Sequence, residues 1–206
     1  MAKTKLKAVE APLKLDIGCG KNKKEGFHGV DKIAFEGVDT VIDLAGKTPQ
    51  FANSADPFKP HGGEFKKWPW PDESVEEVHC SHFVEHLTAS ERIHFVNELY
   101  RVLKPGAKAL LITPHWASNR SYGDLTHQWP PVSEMWFYYL SKDWRAINAP
   151  HNDFYTCDFE ATWGYGLLQD VAVRNQQYQM HALTFWKEAA QDTIATLTKR
   201  AKNSNG

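Results

Sequence analysis

Leu13-Lys14-Leu15-Asp16-Ile17 alternates apolar and polar residues and runs without a spacer into Gly18-Cys19-Gly20, the pattern of a strand that ends in a glycine turn. Such a junction lets a ligand approach the backbone, and open α/β sheets bind their ligands beyond the carboxyl ends of the strands. Two further short strands read at Gly26 to Asp31 and Val38 to Asp43, each closing on an acid, and Ser74 to Cys80 gives a fourth, followed by a short helix through Phe83 to Leu87. Thr88 and Glu91 then stand in the capping-box relation, and Ile93, Val96, Leu99, Tyr100 and Leu103 recur at helical spacing until Lys104-Pro105-Gly106 stops the run. Ala107 to Thr113 is apolar on both faces, as a central covered strand should be. The alternation predicts an α/β fold: an open Rossmann-like sheet, mostly parallel. Asp158 to Leu168 and Val171 to Phe185 read as an antiparallel C-terminal hairpin turning near Gln169-Asp170 at the sheet edge, and the tail from Lys187 through Ile194 and Leu197 as an amphipathic helix.

The 206 residues suit one domain spanning 1–206, with a Lys-rich flexible arm over 1–12 and a loop over Phe51 to Pro71. After the fifth strand, residues 114–150 crowd Trp116, Trp129, Trp136 and Trp144 around Pro130-Pro131, an aromatic insertion expected to cover a substrate site. With 42% hydrophobic and 24% charged residues the chain is globular, and its net charge of -1 gives no global pull toward nucleic acid or an anionic membrane. No apolar run approaches a membrane span and the first residues lack a signal-peptide pattern, so the expected location is cytoplasmic. Three scattered cysteines without a CxxC pair indicate reduced thiols and neither a disulfide frame nor a cysteine metal site.

The glycine turn is not a phosphate loop: no GxxxxGK[ST] follows, and Lys23 stands where a dinucleotide motif has its third glycine. Asp31, at the end of the second strand, is placed to accept from ribose hydroxyls, and Asp43, after the third, from an exocyclic adenine amine. Six of the ten histidines fall between His79 and His127, a concentration of the side chain best suited to proton transfer near neutral pH. Of these, His115 and His127 are the candidate bases, with Asp124 as orienter. His82 and His86 lie one helical turn apart with Glu85 beside them, as metal ligands can, but the sequence spacing supplies no third ligand, so no metal is expected.

Taken together, these segments resemble the class I S-adenosylmethionine-dependent methyltransferases of the small methyltransferase-domain type. The resemblance rests on Leu15-Asp16-Ile17-Gly18-Cys19-Gly20, Gly29-Val30-Asp31, Ile42-Asp43-Leu44, Trp70 to Val78, Ser81 to Leu87 and Glu98 to Ala107, in the family's order over residues 13 to 114. Tyr122-Gly123-Asp124-Leu125-Thr126-His127 is similar to an Asp-Pro-Thr-His stretch found in one group of these enzymes, with Leu125 in place of the proline. It implies S-adenosyl-L-methionine as cofactor: Asp16, Gly18, Cys19 and Gly20 around its methionine part, Asp31 at the ribose, Asp43 at the adenine, and Ser81 and His82 beside the sulfonium. Asn22 replaces the motif's third glycine, and the link from Gly20 to Val30 is too short for a full first helix.

Neither an Asn/Asp-Pro-Pro-Tyr after the fourth strand nor a Pro-Cys nucleophile occurs, which disfavours the amino- and C5-methylation of nucleobases those motifs serve. Asp72 to Glu91 holds six acids and no Lys or Arg, a surface that repels a polyanion. The expected activity is methyl transfer to oxygen or nitrogen of a small-molecule or carbohydrate-like acceptor. A nucleotide or nucleic-acid acceptor, and a catalytically silent cofactor-binding partner protein, are the alternatives.

Overall fold

A computed structural model describes residues 12–45 and 65–201. Four parallel strands open the chain: β1 (Leu13–Ile17), β2 (His28–Asp31), the two-residue β3 (Thr40–Val41) and β4 (Val75–Ser81). A 3-10 turn (Val84–His86) leads into α1 (Ala89–Val102), which begins at the predicted capping box: Thr88 N–H donates to the Glu91 carboxylate at 2.8 Å. β5 (Leu103–Pro114) follows, irregular where Pro105 and Gly106 interrupt its pairing with β4. Residues 18–27 form turns and no helix, as the short link demanded. The arm at residues 1–11 and the loop over residues 51–64 lie outside the described residues.

Three short helices occupy the insertion, α2 (Arg120–Gly123), α3 (Glu134–Tyr138) and α4 (Lys142–Asn148). Buried arginines fasten it. Arg92 of α1 is 6% exposed and donates to four carbonyls, those of Val84 and Glu85 before α1 and of Gln128 and Pro130 in the insertion. Arg145 does the same with Tyr139, Tyr155 and Cys157. A carbonyl accepts without carrying charge, so a guanidinium with five fixed donors satisfies several at once where no acid is available.

Beyond the insertion the chain departs from the sequence reading. β6 (Phe159–Leu167) is the expected strand, but Val171 to Phe185 is helical, as α5 (Gln169–Ala172) and α6 (Gln176–Phe185), and the tail read as a helix is β7 (Ala190–Lys199). The antiparallel hairpin is therefore real but its second arm lies later. Asn175, whose side-chain oxygen accepts from Tyr178 N–H at 2.9 Å, is the helix cap that the strand reading passed over. In β7 the decisive period is two: Thr193, Ala195, Leu197 and Lys199 are buried while Ile194 is exposed, and the Ile194–Leu197 spacing that looked helical joins opposite faces.

The seven strands run in the order β3-β2-β1-β4-β5-β7-β6, with β7 antiparallel to both neighbours. Leu15, Ile17, Val78, Cys80, Leu111 and Leu197 line one face and form a single core with Phe95, Val96 and Leu99 of α1. Their alternating neighbours Lys14, Glu77, His79, Leu110, Ile112 and Thr196 stay part-exposed. The strands' carboxyl ends, with their polar turns, converge on one rim. Leu197→Ala should destabilise by about 2–5 kcal/mol through a core cavity, and Ile194→Ala by less than about 1 kcal/mol. Denaturant midpoints of the two variants check this, and comparable losses would contradict the strand.

Candidate functional site

Two carboxylates shape the turn after β1. Asp31 Oδ2 accepts from Gly20 N–H at 2.9 Å and its Oδ1 from Ile33 N–H at 2.9 Å, which ties the end of β2 to the glycine turn. Asp16 is 3% exposed: it accepts from Lys24 N–H at 2.7 Å and lies 2.7 Å from His79 Nδ1, so its carboxylate braces the turn from behind. Gly18 has φ of 69°, and a Cβ there would stand 2.8 Å from the Phe83 ring. Gly20 also has positive φ, 52°, but a Cβ on it would meet nothing within 4 Å, so its backbone borders open space. Cys19 is buried, and burial together with Asp16 and Asp31 raises its thiol pKa, which keeps it protonated and unreactive. Asp43 is exposed just beyond β3, with Oδ1 accepting from Ala45 N–H at 3.0 Å. The open glycine backbone, the acid at the end of β2 and the second acid beyond β3 fit a nucleoside carrying an amino-acid tail.

Across the rim, Ser81 ends β4 and His82 turns the chain with φ of 53°, a left-handed conformation costing a non-glycine residue about 1–2 kcal/mol. Strain of this kind is retained where neighbouring structure demands it. Here His82 N–H donates to Ile112 O at 2.8 Å and its Nδ1 to Glu85 Oε1 at 3.2 Å. The Glu85 bond raises the His82 pKa against the opposing effect of burial. Its Nε2 lies 3.9 Å from Asp192 of β7, which receives both its oxygens' bonds from Arg120 at 2.9 and 3.0 Å.

These groups border an open cleft of about 630 Å³ whose walls include His82, Glu85, His86, Arg120, Asp124 and His127. Asp124 is held below the ordinary aspartate range by the Thr126 hydroxyl and amide. His127 Nδ1 faces the Ser121 carbonyl at 3.3 Å, so that nitrogen carries the proton and Nε2 bears the lone pair. Asp124 lies on the Nε2 side, 3.8 Å away, so the Ser121 carbonyl, and not Asp124, orients the ring. His115 does not open onto this cleft. It is 1% exposed, its Nδ1 accepting from Ala117 N–H at 3.3 Å and its Nε2 lying 3.3 Å from Glu134.

Two features were missed in the sequence. Glu85 is central rather than incidental, and Asp192 sat in a segment read as helix. A deeper apolar hollow of about 500 Å³, between the start of α1 and Trp136, Tyr139 and Tyr155, has no carboxylate in its wall and no strand-end residue. Beside α2 an aromatic hollow of about 230 Å³ is formed by Trp116, Tyr122, Phe185 and Trp186.

Residues 15–111, from β1 into β5, match the family model for a methyltransferase domain. Over this stretch the chain is similar to the class I S-adenosylmethionine-dependent methyltransferases. The chain is 28% identical over 120 residues, 55% of its length, to the sterol 24-C-methyltransferase of Pneumocystis carinii (strain B80), and spans about a third of that relative, 31%. Its fold is similar to a SAM-dependent methyltransferase from Archaeoglobus fulgidus, with a TM-score of 0.58 and 18% identity over 92% of this chain and 87% of the other. A second, from Methanosarcina mazei, aligns with a TM-score of 0.51 and 18% identity over 92% of both chains. Among the described residues, no helix is long and apolar enough to cross a membrane.

Because the His82 backbone is left-handed, His82→Gly should be more stable than His82→Ala by about 1 kcal/mol, although both lose the ring. Thermal melting of the pair measures it, and an alanine variant as stable as the glycine one would remove the strain.

Proposed function

We propose that the chain transfers the methyl group of S-adenosylmethionine to a hydroxyl of a small, carbohydrate-like acceptor seated in the cleft at the ends of β4 and β5. One observation carries the reading: the Asp31–Gly20 cradle and the His82–Glu85–His127 cleft share the same rim of the sheet, a cofactor shelf beside a proton-accepting site. The cofactor supplies a methyl carbon on a sulfonium, so that the carbon–sulfur bond breaks as the acceptor oxygen–carbon bond forms. Alignment and exclusion of water are then the main requirements.

Within the chain, Asp31 offers its carboxylate to ribose hydroxyls while still accepting from Gly20, since each oxygen has two lone pairs. Gly18, Gly20 and the backbone of Cys19 border the methionine part, with Asp16 shaping the turn from behind. Asp43 is assigned to the adenine, and Ser81 and His82 flank the sulfonium. His127 presents its Nε2 lone pair to the cleft and takes the acceptor's proton, and Asp124 stabilises the resulting cation. His115 holds the wall of the insertion through Glu134. The hydrogen-bonding side chains of the cleft, His82, His86, Arg120 and His127 among them, suit a hydroxylated acceptor, and its carboxylates disfavour a polyanion. The curated relative, named for a sterol acceptor, is consistent with a small molecule.

S-adenosylhomocysteine at ~100 times its dissociation constant should stabilise the protein by about 2.7 kcal/mol, raising the melting point by roughly 5 °C. Asp31→Ala should abolish most of that shift while the variant still melts cooperatively. No shift in the parent chain would overturn the cofactor assignment. With a panel of sugars and other hydroxylated acceptors, S-adenosylhomocysteine release should identify the acceptor class. His127→Ala should then slow turnover by about 100-fold or more with cofactor affinity unchanged. An equal loss of both would make His127 structural.

A further inference from the structure

The cleft holds a donor set beyond what alignment of a methyl group requires. One donor atom from each of Glu85, His86 and His127 lies within 4.8 Å of the others. Each of the three is prepared in a specific way. Thr126 Oγ1 donates to Asp124 Oδ1 at 2.7 Å, so toward His86 Nδ1, 2.9 Å away, it can only accept; His86 therefore carries its proton on Nδ1 and its lone pair on Nε2. His127 has the same tautomer, fixed by the Ser121 carbonyl. A ring N–H held by a carbonyl or a carboxylate-linked hydroxyl, with the other nitrogen bare, is the arrangement by which proteins orient metal-binding histidines.

Glu85 adds the independent observation. Its side chain is 5% exposed, Oε1 is taken by His82, and Oε2 is buried without a hydrogen-bond partner. A buried carboxylate oxygen left bare is costly unless something positively charged completes it. Glu85 and His86 are neighbours in the turn before α1 while His127 lies far along the chain, and Arg92 ties the two segments together by binding the carbonyls of both Glu85 and Gln128.

We propose that Glu85 Oε2, His86 Nε2 and His127 Nε2 bind one divalent transition-metal ion beside the acceptor cleft. Two imidazoles and one carboxylate favour zinc or iron over magnesium, and three protein ligands leave a position open for the acceptor oxygen. Ligands about 2.1 Å from a tetrahedral ion stand about 3.4 Å apart, so binding draws the donor atoms closer together. The proposal rests on the acceptor site described above and, where the ion is bound, moves the role of base from His127 to Asp124. With the ion bound, the histidine lone pairs are ligands. The acceptor's O–H proton passes to Asp124, and its oxygen forms the bond to the methyl carbon while the carbon–sulfur electron pair returns to sulfur.

The test titrates the metal-stripped full chain with zinc and, separately, magnesium by calorimetry, alongside S-adenosylhomocysteine without metal. One zinc per chain is expected, with magnesium at least 100-fold weaker. His86→Ala, His127→Ala and Glu85→Gln should each weaken zinc at least tenfold. Thr126→Val, at an exposed position outside the ligand set, should weaken it about tenfold or more in a chain that still melts cooperatively, which keeps the test valid if a ligand variant fails to fold. No saturable zinc binding to millimolar concentration, preference for magnesium, or parent-like zinc binding in the folded variants would overturn the site. S-adenosylhomocysteine binding without zinc binding would remove the metal alone, and zinc binding without S-adenosylhomocysteine binding would remove the cofactor reading alone.

Discussion

One guanidinium holds the two halves of the site together. Arg92 starts on the helix that covers the sheet and ends among the carbonyls of Val84, Glu85, Gln128 and Pro130, so the turn after β4 and the return of the insertion meet at its tip. Burial lowers its pKa to about 10, which leaves it charged at neutral pH, and the charge is satisfied by backbone dipoles rather than by an acid. Glu85 is thereby left to face the cleft. Had the arginine been neutralised by that carboxylate instead, the cleft would have lost its one deeply buried anion.

The conformation around His82 follows from the same geometry. Its amide is bound to Ile112 and its ring to Glu85 while the backbone turns left-handed. The nearby acids divide the work by depth. Asp16 and Asp31 tie the glycine turn, Glu85 is buried under the histidines, and Asp124 and Asp192 stand at the mouth. Backbone amides, two histidine rings, a threonine hydroxyl and an arginine supply their donors, which lets five carboxylates share one rim.

Much of this was legible before any coordinates. The parallel half announces itself because its first three strands close on a glycine turn or an acid and α1 carries both its cap and its stop. The C-terminal third misled because short β-branched runs and helical spacing overlap there: Ile194 and Leu197 satisfy either period, and only the burial of Thr193, Ala195 and Lys199 separates them. Asn175 gave a usable signal, a helix cap, that Val171 and Val173 outweighed. Glu85 and His127 could not be joined from sequence, since their proximity depends on Arg92 and on a turn at 124–127 fixed by Asp124 and Thr126. His115, as prominent in sequence as His127, differs from it only in being enclosed.

The strand order also sets an order of assembly. β1 to β5 pair with one another in parallel, but β6 finds its ladder only on β7, the last strand of the described residues. Until Ala190 to Lys199 slot between β5 and β6, the insertion has Arg92 to rest on but no sheet beneath it, and long-range antiparallel pairing is among the slower steps of folding. Asp192 travels with that strand. One side of the cleft is thus supplied from the far end of the described residues, and the glycine turn on the same rim from their front.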